Sequence, residues 1–156
     1  LHNLDGTLDS DEKKSAWLRK NLITIEKLFK NKVKAQKIFL ASRWLFDGHS
    51  TKNTLLAFIQ LTTVLEILLG DKKTGIQVGV STMLKNRCAY LIGSSNLQRK
   101  ELLDDFDKIY DIRSHIVHTG KTKLSNEEYG LLNKLKWMCR RVIQEEIKLL
   151  MKDIEK

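Results

Sequence analysis

The 156-residue chain contains no proline, and most of its glycines fall between segments in which apolar residues recur at helical spacing. A chain of this kind forms long helices that end at glycine-containing turns. No segment shows the strict alternation of apolar and polar residues that is typical of a strand. The sequence therefore predicts an all-α fold, a helical bundle of about five to six helices.

Six segments are predicted to be helical: a first that opens at Ser10-Asp11-Glu12, then about 33–46, 52–69, 75–92 and 97–117, and a last that begins with the capping box at Ser125–Glu128. The first segment carries Leu18, Leu22, Ile25 and Phe29 on one face. The second is predicted to stop at Asp47-Gly48. The third is apolar nearly all round, so we expect it at the centre of the bundle.

The length supports one domain, which we assign to residues 13–156. Residues 1–12 carry four acids and no lysine or arginine, and the chain begins with Leu1. We interpret them as an acidic leader or linker from an upstream region of a larger protein. The apolar run 55–69 is interrupted by polar residues that include Glu66, which predicts a buried helix and no membrane span. Two widely separated cysteines, without a metal-type pair, favour a reducing cytoplasm.

The formal net charge is +9, and the segment from Lys13 to Arg43 has a local excess of +9, because ten lysines and arginines accompany one acid, Glu26. A clustered basic surface attracts polyanions, of which phosphate backbones are the most common. The other interpretation is the solvated helix face of a basic protein. As the candidate RNA-binding surface we take Lys27, Lys30, Lys34, Lys37 and Arg43.

Arg113 and His118 lie near the end of the fifth predicted helix. Five helical residues turn through about 500°, which leaves the two side chains roughly 140° apart. They converge only if His118 leaves the helical path near Thr119-Gly120, or if a second chain supplies the partner group. The structural alternative is that His118 caps the helix end and that Arg113 pairs with Asp111 or Glu66.

His115 and His118 are three residues apart and share the end of this helix. No third ligand follows at a spacing known for zinc sites, so we expect no bound metal and no cofactor.

Three segments resemble, in order, the blocks of a known group. They are Val64–Leu69 (VLEILL), Asn86–Gly93 (NRCAYLIG) and Ile109–His118 (IYDIRSHIVH), within about Arg43 to Trp137. An arginine followed after four residues by a histidine, late in an all-α domain, is similar to the HEPN superfamily, and the three blocks together resemble its Apea-like group. The position after the arginine is Ser114, where the wider superfamily often has Asn, Asp or His.

The resemblance implies a metal-independent endoribonuclease that acts as a homodimer, with the two motifs facing each other. Arg113 and His118 would be the catalytic residues, and cleavage would proceed through attack of the RNA 2′-hydroxyl. The implied setting is a larger cytoplasmic protein of antiviral defence or a toxin system, with an antitoxin or regulatory domain N-terminal to this fragment. The second interpretation is a non-catalytic HEPN module, since such modules bind RNA, a nucleotide or a protein partner. The third is a helical scaffold in which Arg113 and His118 only form an ion pair and cap the helix.

Around these two residues we assign supporting positions to Ser114, Glu66, Arg87, Tyr110 and His115. Glu66 interrupts an apolar helix, and an unpaired charge there is costly, so we expect Arg87 or Arg113 as its counter-ion. Structural bracing is the favoured role of Glu66 and Arg87. Tyr110 is expected in the core, with its hydroxyl at the rim of the site.

Overall fold

The computed structural model describes residues 11–71 and 79–155, so most of the predicted leader and residues 75–78 of the fourth predicted helix lie outside the described residues. The described residues contain helices and no strand, which confirms the all-α bundle. The helices are α1 (Asp11–Lys30), α2 (Lys32–Ser50), α3 (Thr54–Leu69), α4 (Val80–Ile92), α5 (Asn96–His118) and α6 (Asn126–Ile154).

Helix α3 is the centre of the bundle, as its apolar sequence predicts. It packs against α2, α4, α5 and α6, and half of its residues are buried. Phe58, Leu61 and Leu65 have no solvent-exposed surface. Because other helices surround α3, little of its surface faces solvent. Glu66 is the one charged residue of this helix.

Local hydrogen bonds explain where the helices begin. The Asn53 side chain accepts hydrogen bonds from the backbone N–H groups of Leu55 and Leu56, both at 3.1 Å, and so starts α3. The predicted capping box is confirmed at α6, where Ser125 Oγ accepts from the Glu128 N–H and Glu128 Oε2 accepts from the Ser125 N–H. The same backbone hydrogen bond lowers the pKa of Glu128.

The predicted end of the second helix at Asp47-Gly48 is wrong. Helix α2 continues to Ser50, and Gly48 is a buried residue inside it. A Cβ atom at position 48 would lie 2.9 Å from Leu61 Cγ, so the glycine allows α2 to approach α3 closely. The glycine marks a helix contact and not a helix stop, which sequence alone does not distinguish.

Helix α1 begins at Asp11, so the last two residues of the predicted leader belong to this helix. The predicted apolar face is exposed: Leu18, Leu22, Ile25 and Phe29 are 54, 63, 47 and 55% exposed. Within α1 the buried side chain is Leu28. In its C-terminal half, the Phe29 ring packs on Phe39 of α2, with centroids 5.1 Å apart, and its N-terminal half, 11–20, is exposed throughout.

None of the described helices combines the length and the apolar content needed to cross a membrane.

The contact at Gly48 yields a stability prediction. We expect Gly48→Ala to lower the free energy of unfolding by about 1–2 kcal/mol, because the clash with buried Leu61 outweighs the gain in helix propensity. The matched control is Gly130→Ala in α6, where an added Cβ meets nothing within 4 Å. That change should stabilise by about 0.5–1 kcal/mol. Urea denaturation measures both, and equal effects at the two positions would contradict the account.

Candidate functional site

Glu66 of α3 meets two side chains of α5 that lie three residues apart. The Tyr110 hydroxyl donates a hydrogen bond to Glu66 Oε1 at 3.3 Å, and Arg113 Nη2 lies 3.5 Å from the same oxygen. Glu66 and Arg113 are each 32% exposed at the side chain, so this ion pair lies at the edge of the core. Arg87 and Arg113 were the counter-ions expected for Glu66, and Arg113 forms this ion pair.

Tyr110 is held on two sides. Its ring stacks on Phe106, with centroids 4.7 Å apart and planes inclined by 11°. Burial, followed by the nearby Glu66 carboxylate, raises the pKa of Tyr110 well above its usual range. The hydroxyl therefore remains protonated and keeps donating to Glu66. The expected core position of Tyr110, with its hydroxyl toward the site, agrees with this geometry.

The Arg113 guanidinium is only partly satisfied by the protein. Its Nε is buried and finds no hydrogen-bond partner among the described residues, while its Nη2 pairs with Glu66. An arginine presents five N–H donors in a planar fork. A third of the side chain faces solvent, so part of this fork is open to an anion such as a phosphate.

His118 is the last residue of α5 and is exposed. The helix is closed after it, because the His115 carbonyl accepts hydrogen bonds from Thr119 Oγ1 at 2.7 Å and from the Thr119 N–H at 3.1 Å. Gly120 then reverses the chain with a φ of 67°. His118 thus stays on the helical path, and five residues of helix separate its direction from that of Arg113 by about 140°.

This geometry decides between the two routes by which Arg113 and His118 can meet. Since α5 is helical through both residues, their side chains diverge within one protomer. Convergence requires a second protomer that presents its own His118 or Arg113. Ser114 and His115 are also exposed on this last part of α5.

Arg87 of α4 lies at the C-terminal end of α3. Its Nη1 donates to the Leu69 carbonyl at 2.8 Å, and its Nη2 lies 3.6 Å from Asp71 Oδ2. A carbonyl at a helix end lacks an intrahelical partner, so this contact braces the end of α3. Arg87 has the bracing geometry expected of it, and its carboxylate contact is with Asp71.

The candidate RNA-binding surface is less positive than its sequence indicates. Lys27 pairs with Glu155 at 2.6 Å, Lys34 with Asp153 at 3.0 Å, and Lys30 with Glu26 at 2.6 Å. Lys37 and Arg43 are exposed on α2. The acids that pair with Lys27 and Lys34 lie at the end of α6, more than 100 residues away, so no local charge count reveals them.

Sequence reasoning missed Glu146 of α6. This half-buried carboxylate lines a cavity of about 390 Å³ together with Leu68, Leu69, Arg87, Tyr90 and Leu91. Burial raises the pKa of Glu146, and the nearby Lys37 and Arg87 oppose that shift. The sequence contains a sign that Glu146 faces inward. It lies four residues after Val142 and four before Leu150, and both of these residues are on the inward face of α6.

Within residues 11–71 and 79–155, no three side chains of His, Cys, Asp or Glu lie close enough together to hold a metal ion. The chain matches none of the family models, curated proteins or solved structures with which it was compared. The site is therefore interpreted from its own geometry.

The Tyr110 contact is open to a direct test. Tyr110→Phe should lower the free energy of unfolding by about 0.5–1.5 kcal/mol, because Glu66 loses a hydrogen bond while the stack on Phe106 is kept. Tyr129→Phe, at an exposed position of α6, is the control and should change stability by less than about 0.5 kcal/mol. Equal effects of the two changes in urea denaturation would show that the hydroxyl is not held by Glu66.

Proposed function

We propose that this domain is a metal-independent endoribonuclease of the HEPN type, in which Arg113 of one protomer and His118 of its partner form each active site. The observation that carries the proposal is the arrangement on α5. A guanidinium is braced by Glu66 and part-exposed, and the same helix ends five residues later in an exposed histidine.

The reaction needs little from the protein, because the nucleophile belongs to the substrate. The 2′-oxygen of RNA loses its proton and attacks the adjacent phosphorus, the P–O2′ bond forms, the P–O5′ bond breaks, and the departing 5′-oxygen takes up a proton from solvent. The products are a 2′,3′-cyclic phosphate and a 5′-hydroxyl end. Positioning, proton transfer and stabilisation of phosphate charge are the three contributions that an enzyme must supply.

Arg113 and His118 match these contributions. An imidazole accepts the proton of the 2′-hydroxyl as a general base. A guanidinium holds two phosphate oxygens in a fork and stabilises the charge that develops on them. Glu66 restricts the Arg113 side chain from one side, so less freedom is lost when a phosphate binds to the other.

The divergence of the two side chains within one protomer supports a composite site. When two copies of α5 pack about a two-fold axis, His118 of one chain approaches Arg113 of the other. Such an interface is the same patch on both subunits and creates two equivalent sites per dimer. The exposed Lys37 and Arg43 provide part of the positive charge that attracts RNA to the dimer.

The decisive experiment incubates the domain with end-labelled RNA in EDTA. Cleavage is expected to persist, to leave 2′,3′-cyclic phosphate ends, and to be absent at a site with a single 2′-deoxy nucleotide. Loss of cleavage in EDTA, or cleavage of the deoxy substrate, contradicts the proposal. Binding of RNA without cleavage, weakened by salt, supports the non-catalytic HEPN module instead.

Two substitutions assign the roles. Arg113→Ala and His118→Ala should each lower the rate of cleavage by about 10²–10⁴-fold, the usual effect of removing charge stabilisation or a general base. The control is His49→Ala, since His49 is exposed on α2 and its ring contacts the Leu45 carbonyl. That variant should cleave at the wild-type rate. Unchanged cleavage in either α5 variant would remove that residue from the site.

A further inference from the structure

The cavity beside the end of α3 has the size of a small-molecule site. Its volume is about 390 Å³, and such sites usually measure about 300–1,000 Å³. Leu68, Leu69 and Leu91 form apolar walls, while Tyr90 and Glu146 add an aromatic and an acidic side chain. The chemistry proposed for Arg113 and His118 does not use this cavity, so its side chains are open to another role.

Glu146 is the half-buried acid of the cavity. Within residues 11–71 and 79–155, its carboxylate accepts no hydrogen bond and forms no ion pair. Partial burial of a carboxylate without a hydrogen-bond donor costs free energy. A ligand that donates hydrogen bonds to Glu146 offsets this cost, so the cavity favours a ligand with N–H groups.

The charges around the cavity favour a neutral ligand. Arg87 lines it, and Lys37 is close enough to oppose the effect of burial on the pKa of Glu146. A cation meets Arg87 and Lys37 there, whereas a phosphate meets the Glu146 carboxylate. Arg87 is held by the Leu69 carbonyl and by Asp71, so we assign it no hydrogen bond to the ligand.

Tyr90 provides a surface on which a planar ring can stack. It is 71% exposed and lines the cavity. The Arg99 guanidinium lies over the ring, 5.2 Å from its centroid, and covers one of its two faces. Proteins that bind single-stranded RNA stack unpaired bases on aromatic side chains of this kind. A neutral planar ring with N–H donors describes a nucleobase.

Guanine is the nucleobase that best matches a carboxylate. Its Watson–Crick edge carries two adjacent donors, N1–H and the 2-amino group, and one carboxylate accepts from both. Adenine and cytosine place a ring nitrogen acceptor beside the amino group, and uracil flanks its N3–H with two carbonyl groups. These acceptors would face the negative oxygens of Glu146, so the other three bases fit less well.

We propose that this cavity binds an unpaired guanine of the RNA substrate, with the base stacked on Tyr90 and its Watson–Crick edge on Glu146. The base must be unpaired, because the edge that Glu146 contacts is the one used in base pairing. The assignment of the ligand to RNA rests on the proposed function, whereas the preference for guanine rests on the cavity alone.

The surroundings of the cavity suit the rest of a strand. Glu146 also lines a second cavity, of about 250 Å³, whose lining includes the exposed Lys37. A phosphate next to the bound base is attracted to Lys37. Leu69 lies one turn of α3, about 4.5 Å, after Glu66, which pairs with Arg113. A strand that places a guanine here therefore runs close to the proposed cleavage site.

Binding to strands that differ in one base tests the preference. The probes are short, fluorescently labelled 2′-O-methyl oligouridylates, which lack the nucleophile for cleavage, with one central guanine, inosine, adenine or cytosine. Fluorescence anisotropy should show about tenfold tighter binding of the guanine strand than of the other three, as a bidentate base contact provides. Inosine lacks the 2-amino group alone. If the guanine strand binds no tighter than the inosine strand, or if no strand binds, the proposal is overturned.

Two variants assign the contacts. Glu146→Gln retains one acceptor of two and should abolish the preference for guanine, whereas Glu101→Gln, at an exposed position of α5, makes the same charge change and should keep it. Tyr90→Ala should weaken binding of the guanine strand at least fivefold through loss of stacking, and Tyr129→Ala, at an exposed position of α6, should not. Circular dichroism should show an intact fold in all four. A guanine preference that survives Glu146→Gln overturns the proposal.

GMP distinguishes a base within a strand from a free nucleotide. It should bind at least tenfold more weakly than the guanine strand, because it lacks the neighbouring phosphates. Equal affinities would assign the cavity to a free nucleotide and overturn the RNA assignment. Guanine preference in a protein that leaves ordinary RNA intact would refute the nuclease proposal and support this one, whereas RNA cleavage without guanine preference in the binding assay would refute this one alone.

Discussion

The fold and the candidate site both depend on the burial of α3. This helix is enclosed by four others, so its one charged residue, Glu66, lies among apolar neighbours at the edge of the core. A carboxylate in such a place needs compensating partners. Tyr110 and Arg113 supply them from α5, whose core-facing side is formed by the buried Leu102, Phe106, Ile109 and Ile112. The packing of the bundle thereby determines where the guanidinium is presented.

The packing that places Arg113 does not place His118, the second residue of the proposed site, beside it. Because the helix continues to His118, the two side chains that the proposed chemistry requires point in different directions. A single protomer thus has a braced arginine and an exposed histidine whose side chains diverge along α5. Association of two protomers would complete the proposed site, since both groups lie on the same helix. Activity would then depend on protein concentration, which is a form of regulation.

The sequence predicts best what depends on local pattern. The central position of α3 follows from its apolar residues, and the start of α6 follows from the Ser125–Glu128 capping box. It predicts poorly what depends on distant contacts. The sequence around Gly48 suggests a helix end, whereas this glycine allows α2 to approach Leu61 of α3 closely. The lysines of α1 and α2 suggest unpaired positive charge, whereas acids at the end of α6 pair with two of them. The apolar stripe of α1 is visible in sequence, but that it faces solvent is not. The sequence does not show which arginine pairs with Glu66, because Arg87 and Arg113 are both candidates. The structure identifies Arg113.

The most direct test of the composite site is subunit mixing. Purified Arg113→Ala and His118→Ala proteins are each assayed for RNA cleavage and then assayed again after mixing in equal amounts. In a composite site, half of the randomly formed dimers are mixed and each of these carries one complete site, so the account predicts recovery of about one quarter of the wild-type rate. If the mixture stays as inactive as its components while the wild-type protein cleaves RNA, each site lies within one chain and the account is wrong.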